Sequence, residues 1–181
     1  MRGASKSTHR TYNITFAAGT AALNMNPIRR LSSGDHDAVV EVYRQAVLCS
    51  TTSLYSPAQQ TAWAAQADRL RPHLQRGEGL VSCNDNNRVE AFALRDPEDR
   101  VALLYCHPRS QRQGRARSLL RALEHNARLQ GLRQLRTEAS FLSRDLFAAE
   151  GWQVSWQEEL LIGRVLFRRF RMHKPLTPIL A

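Results

Sequence analysis

Pro108-Arg109-Ser110-Gln111-Arg112-Gln113-Gly114-Arg115-Ala116 lies between an uninterrupted apolar run, Val101–Cys106, and a strongly patterned stretch, residues 115–130. In that stretch Ala116, Leu119, Leu120, Leu123 and Ala127 fall on one helical stripe, with Arg115, Arg121, Glu124 and Arg128 mostly off it. Gly131 suits the left-handed residue that closes such a helix. A turn from strand into helix leaves backbone N–H groups unpaired at the positive end of the helix dipole. Gly114 allows close backbone approach, and Ala116 keeps the first turn free of bulk. In physical terms this is a cradle for a pyrophosphate. A lone glycine between strand and helix is also an ordinary loop, and the order of the surrounding elements separates the two.

Upstream, Ile28–Leu31 reads as a short strand, closed by Ser32-Ser33-Gly34-Asp35 at a helix start. Val39, Val42, Tyr43 and Ala46 place a helix over residues 36–49. Ser56 as N-cap and Pro57 at the first helical position open a second. Its stripe of Trp63, Ala67, Leu70 and Leu74 carries one helix to about Leu74. Leu80–Cys83, Val89–Leu94 and Val101–Cys106 are three strands of an antiparallel meander, joined through Asn84–Asn87 and Asp96–Asp99. The third lacks polar alternation, so both its faces are expected to be covered. Downstream, Leu135, Thr137 and Ala139 alternate as a strand, and Leu142–Glu150 is a short helix stopped by Gly151. Two strands follow, Gln153–Ile162 and Val165–His173. The fold class is α/β: a mixed sheet of about seven strands with helices on both faces, ordered β-α-α-β-β-β-α-β-α-β-β.

The chain has 181 residues, 43% hydrophobic and 23% charged, enough for one domain with a full core and unlike a disordered or fibrous chain. Its longest apolar runs are far too short to cross a membrane. Charge stands out: 26 basic residues, all but Lys6 and Lys174 arginine, against 16 acidic ones give +10. Such a surplus attracts polyanions, although a GC-rich genome would raise arginine everywhere. The surplus is uneven, with eight arginines and one acid, Glu124, between Val101 and Thr137. Cys49, Cys83 and Cys106 show neither pairing logic nor metal spacing, so free thiols in a reducing cytoplasm and no metal are expected. Residues 1–26, basic and then modestly apolar from Ile14 to Leu23, read as a loose leader with Met25 as an alternative start. The domain is placed at 27–175 and a tail at 176–181.

Gln111-Arg112-Gln113-Gly114-Arg115-Ala116 resembles the (Gln/Arg)-x-x-Gly-x-(Gly/Ala) signature of the GNAT acetyltransferases, with Pro108 where that family often has proline after its fourth strand. Leu146-Phe147-Ala148-Ala149-Glu150-Gly151-Trp152 is similar to the family's aromatic-x-x-x-Gly-aromatic segment. Tyr55–Gln59 with Ala62-Trp63, and the ending Phe170–Pro175, resemble a YafP-like bacterial branch. The resemblance implies acetyl-CoA as co-substrate. Backbone groups of Leu104 and Cys106, flanking Tyr105, would hold its pantetheine arm between splayed strands. The amides of Gln111, Arg112, Gln113, Gly114, Arg115 and Ala116 would hold its pyrophosphate. An acceptor amine would attack the thioester directly, with backbone dipoles steadying the oxyanion.

The family's general acid is a tyrosine, and aligning on Gly151 puts Phe147 at that position. Phenylalanine donates no proton, so another group serves, CoA leaves as thiolate, or the domain binds CoA with weak or no catalysis. Ser140 stands where relatives carry a cofactor-facing residue, and it is equally a cap for the next helix. Glu138 is a candidate base or a salt-bridged strand carboxylate. Tyr105 and His107, flanking Cys106 near the thioester region, are further base candidates or else a core aromatic and a surface turn residue. A nucleophilic Cys106 has no His or Asp arrangement to activate it, and the family uses no acyl-cysteine. Tyr55 and Trp63 shape the acceptor pocket or pack the core. The acceptor is a small-molecule or peptide amine, or a larger one on protein or charged tRNA. Arg164, Arg168, Arg169 and Arg171 motivate a rival reading as a nucleic-acid-binding domain, though no helix-turn-helix or aromatic RNA platform accompanies them. Strand edges near the C-terminus allow a homodimer.

Overall fold

Alternation across two cores builds the centre of the molecule. On Val89–Arg95 (β3), Ala91 and Ala93 pack into one cluster while Phe92 and Leu94 pack into the other. On Glu78–Cys83 (β2), Leu80 and Val81 divide in the same way. Period-two alternation with both sides apolar is what a sheet covered on both faces requires. The computed structural model describes residues 26–179, excepting Thr51, Thr52 and the side chain of Ser50. The expected leader, apart from Asn26, lies outside the described residues.

The remaining strands are Ile28–Arg30 (β1), Arg100–Cys106 (β4), Gln134–Ala139 (β5), Gln153–Ile162 (β6) and Val165–Pro175 (β7). They form one seven-stranded mixed sheet in the order β1-β2-β3-β4-β5-β7-β6. All neighbours are antiparallel except β4 and β5, which are parallel and joined through Arg115–Leu129 (α4). Leu119, Leu120, Leu123 and Ala127 of α4 pack with Val101, Leu135 and Phe147 on one face. His36–Ser50 (α1), with Val39, Val42, Tyr43 and Val47, packs against Val81, Phe92 and Leu94 on the other. Arg144–Ala149 (α5) follows β5. The expected sheet, helix order and two-sided covering are those observed.

Four local expectations need correction. The single helix from Pro57 to Leu74 is three pieces: Pro57–Ala64 (α2), a 3-10 stretch Ala65–Arg69, and Arg71–Arg76 (α3). Pro72, in the first turn of α3, has no N–H to continue the upstream ladder, so the break falls there. The third meander strand is not covered on both faces, since β4 beyond Val101 is only half-buried. Its far end borders an open cleft instead of a neighbouring strand. Arg115 and Glu124 lie off the stripe of α4 yet are buried, because each reaches a polar partner inside. Finally, Leu176 belongs to the core rather than to a tail: its N–H donates to Arg133 O at 2.8 Å.

Candidate functional site

The cleft begins where two parallel strands part. Only Arg100–Arg136 and Val101–Thr137 are in register between β4 and β5, and Thr137 Oγ1 donates to Val101 O at 2.8 Å. From Ala102 to Cys106 the β4 edge that faces β5 has no strand beside it among the described residues. A cleft of about 910 Å³ opens at this splay. It brings together Leu104, Tyr105 and Cys106 with Gln111, Arg112, Gly114, Arg115 and Ala116. Glu138, Ser140 and Phe147 line it from the β5 side, and Trp63 from α2. Gln113 and Tyr55 stand just outside this lining.

The loop after β4 has the geometry of an anion cradle. Gln111 is extended, Arg112 has φ 60°, and Gly114 has φ 77° and ψ −1° as N-cap of α4. A Cβ on Gly114 would meet nothing within 4 Å, so backbone conformation and approach from outside, not packing, call for glycine. The first helical bond runs from Ser118 N–H to Gly114 O at 3.0 Å. The amides of residues 112–117 therefore have no backbone acceptor among the described residues, at the positive end of α4 and beside the cleft that Arg112, Gly114, Arg115 and Ala116 line.

The loop is held from beneath by a buried carboxylate. Glu90 receives Arg109 Nε at 2.9 Å and Nη2 at 3.0 Å, Ser110 Oγ at 2.6 Å, and Asn84 Nδ2 at 3.1 Å. Burial pushes the Glu90 carboxyl up, but Arg109 and Ser110 outweigh it and hold it below the ordinary carboxylate value. Arg115 turns its guanidinium inward, donating to Ser82 Oγ at 3.0 Å and Cys83 O at 2.8 Å. Arg117 and Arg121 share Glu150 at 2.8 and 2.6 Å. Of the eight arginines along residues 101–137, Arg109, Arg117, Arg121 and Arg136 pair with acids from elsewhere in the chain. Arg112, exposed on the loop, has no ion pair among the described residues. Sequence reasoning missed Glu90, whose only signal was a carboxylate inside an apolar strand.

The other candidate residues separate by environment. Both carboxylate oxygens of Glu138 are engaged, one by Arg100 at 2.6 Å and the other by Arg171. Burial pushes the Tyr105 hydroxyl up to about 12, with Trp63 and Tyr43 partly offsetting it, so it stays a neutral phenol. Its ring stacks on Phe92 at 5.6 Å and meets Tyr43 edge-on at 4.7 Å. Burial raises the Cys106 thiol to about 11, which keeps it protonated and unreactive. His107, at the turn, is lowered by burial and by Arg109, and its Nδ1 accepts the Arg109 N–H at 3.3 Å. Phe147 is buried against Trp152, ring centroids 4.9 Å apart, with an edge on the cleft. Ser140 bonds reciprocally with Ser143 across the turn into α5: Ser143 N–H donates to Ser140 Oγ at 3.2 Å. It also faces the cleft, so capping and lining coincide.

Tyr55 is buried, and its hydroxyl accepts the Phe141 N–H at 3.1 Å. Burial raises this hydroxyl, with the bonds from Phe141 and Ser140 partly offsetting it. The Tyr55 ring meets Trp63 at 5.2 Å, and together they form an aromatic wall that continues to Phe167 at 6.1 Å from each. Gln59 Nε2 ties α2 to the β6–β7 turn through Leu166 O at 2.9 Å. Wall and packing roles are thus combined in these two residues.

Comparison with known proteins bears on the family and the fold. A family model described as an acetyltransferase (GNAT) domain matches residues 51–173. The N-acetyltransferase YafP of Escherichia coli K12 is 26% identical over 154 residues, 84% of this chain and 99% of its own. A GCN5-related N-acetyltransferase from Rhodopseudomonas palustris superposes with a TM-score of 0.81 at 24% identity, covering 87% of this chain and all of its own. The PaiA N-acetyltransferase of Thermoplasma acidophilum, solved with coenzyme A, superposes at 0.64 with 18% identity, covering 82% and 98%. These three likenesses each extend over more than four-fifths of this chain rather than one motif.

Proposed function

The chain belongs to the GNAT family of N-acetyltransferases, and from that premise we propose that it moves an acetyl group from acetyl-CoA to an amine by direct attack. One observation carries the reading: around two left-handed residues, Arg112 and Gly114, the amides of residues 112–117 have no backbone acceptor among the described residues, beside the cleft where β4 and β5 part. The residues present fit the co-substrate. The loop amides suit its pyrophosphate, and the unpaired edge of β4 at Leu104 and Cys106 offers N–H and C=O groups to an amide-containing arm. When bound, acetyl-CoA supplies an activated acyl carbon as a thioester. Trp63, with Tyr55 behind it, forms the wall of the acceptor side.

Phe147 favours a second reading, a CoA-binding domain with weak catalysis, because it leaves the usual donor position without a proton. Nucleic-acid binding is less favoured, since Arg109 and Arg117 beside the loop already pair with carboxylates and Arg115 turns inward. Three unpaired thiols suit a reducing cytoplasm. A homodimer would join at β6, whose outer edge has no strand beside it among the described residues.

Calorimetry with acetyl-CoA tests the proposal, with saturable binding expected. Gly114→Asp should abolish that binding by placing bulk and charge in the cradle. Unchanged affinity in the variant removes the loop from the site. Release of free CoA in a screen over amines and peptides separates turnover from binding alone.

A further inference from the structure

Resting on the function just proposed, we infer that the acceptor is an aromatic amine whose nitrogen is uncharged at neutral pH. The charges of the cleft carry the first half of the inference. Of the cations in its lining, Arg112, Arg115 and Arg117 stand at the loop that suits the anionic co-substrate, with Arg117 paired to Glu150, which leaves Arg144 beside the two lining carboxylates, Glu138 and Asp145. Glu138 lies between Arg100 and Arg171, and Arg171 continues to Glu158 at 2.8 Å and thence to Arg169. That ladder alternates three guanidinium groups with two carboxylates, so it has one positive charge in excess. Asp145 pairs with Arg144 at 3.1 Å. Residues 1–25, 50–52 and 180–181 contain no Asp or Glu side chain. An aliphatic amine, an ammonium at neutral pH, therefore finds no unpaired carboxylate in this lining to hold it or to take its proton.

The walls carry the second half. On the α1–α2 side the lining is Ala46, Val47, Leu54, Trp63 and Tyr105. At the mouth Leu54, Phe141 and Leu142 are exposed apolar side chains, an arrangement that a polar ammonium does not repay and a flat aromatic body does. The reaction balances for such an acceptor without an external base. The amine nitrogen forms a bond to the acetyl carbon as the carbon–sulfur bond breaks, and the nitrogen's proton ends on the sulfur, giving the amide and free CoA thiol. An ammonium must first shed a proton, and the lining carboxylates are already engaged by arginine.

The test uses the full chain with acetyl-CoA and two acceptors of similar shape. These are 4-methoxyaniline, neutral at pH 7, and benzylamine, protonated there. Free CoA is the readout, and binding of CoA is measured by calorimetry on the same preparation. The expected result is a kcat/KM for the arylamine at least about tenfold above that for benzylamine at pH 7. The arylamine value should stay flat from about pH 6.5 to 8.5, while benzylamine should gain about tenfold per pH unit as its ammonium deprotonates. Leu54→Asp, at an exposed position, should shift the preference several-fold toward benzylamine by adding a carboxylate. Equal or better use of benzylamine, or no turnover of the arylamine by protein that binds CoA, overturns the acceptor class. Failure to bind CoA overturns instead the function on which it rests.

Discussion

Arg109 presents Nε and Nη2 to the two oxygens of Glu90, at 2.9 and 3.0 Å, from the first turn beyond β4 to a carboxylate buried on β3. The same carboxylate takes the Ser110 hydroxyl at 2.6 Å, so one side chain fixes the direction in which the loop leaves the sheet. Glu90→Gln keeps the shape but loses one acceptor and the charge. The expected cost is about 2 kcal/mol in stability, measured by urea unfolding. Acetyl-CoA affinity should fall as well, because the amides of residues 112–117 then sample other orientations. Full affinity in a folded variant would mean that the loop holds itself.

Acid should weaken the fold in a definite window. The carboxyls of Asp35, Glu78, Glu90, Asp96, Glu150 and Glu158 are all held below their ordinary values. Hydrogen bonds from Arg29 to Asp35 and from Arg121 to Glu150 are the leading causes there, whereas in the other four burial works against partners that outweigh it. A depressed folded pKa means that the unfolded chain binds the proton more readily. Their stabilisation is fully present above roughly pH 4.5 and is lost as pH falls through the folded values. Thermal unfolding should give a Tm flat between about pH 7 and 5 and falling steadily below about pH 4.5. Glu90→Gln should reduce the slope of that fall, since one contributor is gone.

Periodicity names faces but not partners, and this sets what the sequence made legible. The stripe Leu119, Leu120, Leu123 and Ala127 could be assigned to one buried face because helical periodicity puts them on one side. Gly114 could be singled out because a strand-to-helix turn with a glycine has few conformations. Glu124 could not be placed: it looked like a solvent-facing residue, yet it receives Trp152 Nε1 at 2.8 Å and Lys174 Nζ at 2.5 Å from segments folded against α4. Arg95, fully buried on β3, also depends on distant groups, donating to Gln130 Oε1 at 2.6 Å and pairing with Glu78, besides the nearby Glu98 O at 2.8 Å. The aromatic wall was visible only as two residues, Tyr55 and Trp63, because its continuation to Phe167 crosses more than a hundred residues of chain.

Arg112 should account for the salt dependence of acetyl-CoA binding. It is exposed beside the loop amides, while Arg109, Arg115 and Arg117 are engaged elsewhere in the protein. Arg112→Ala should weaken binding about three- to tenfold at low ionic strength and reduce the loss seen on raising salt. Titrations at two ionic strengths check both effects, and an unchanged salt response assigns the attraction to the backbone alone.

Tyr55→Phe removes the acceptor of the Phe141 N–H without altering the ring wall. The lost bond is expected to cost about 1 kcal/mol, read from chemical denaturation. Because Ser140 and Phe141 line the cleft, KM for the acceptor should rise a few-fold with kcat less affected. Tyr55→Leu should raise KM further, since the edge-on contact with Trp63 at 5.2 Å goes too.

Phe147→Tyr would place a phenol where the cleft meets the core beside Trp152. If protonation of the departing thiolate limits the reaction, a donor there should raise kcat at least about tenfold, the gain fading at high pH as the phenol ionises. A hydroxyl without a partner would cost about 1–2 kcal/mol in stability, so the variant is checked by thermal unfolding first. The size of the gain also distinguishes acceptors. Once benzylamine has shed its first proton to solvent, both acceptors attack as neutral amines, and each releases the proton for the sulfur after attack. The donor should therefore benefit both acceptors when C–S cleavage limits, and benzylamine less when its prior deprotonation limits. Comparing the two kcat ratios at pH 7 and pH 8.5 identifies the slow proton transfer: a benzylamine ratio that rises toward the arylamine value with pH places it before attack, and equal ratios at both pH values place it at the sulfur.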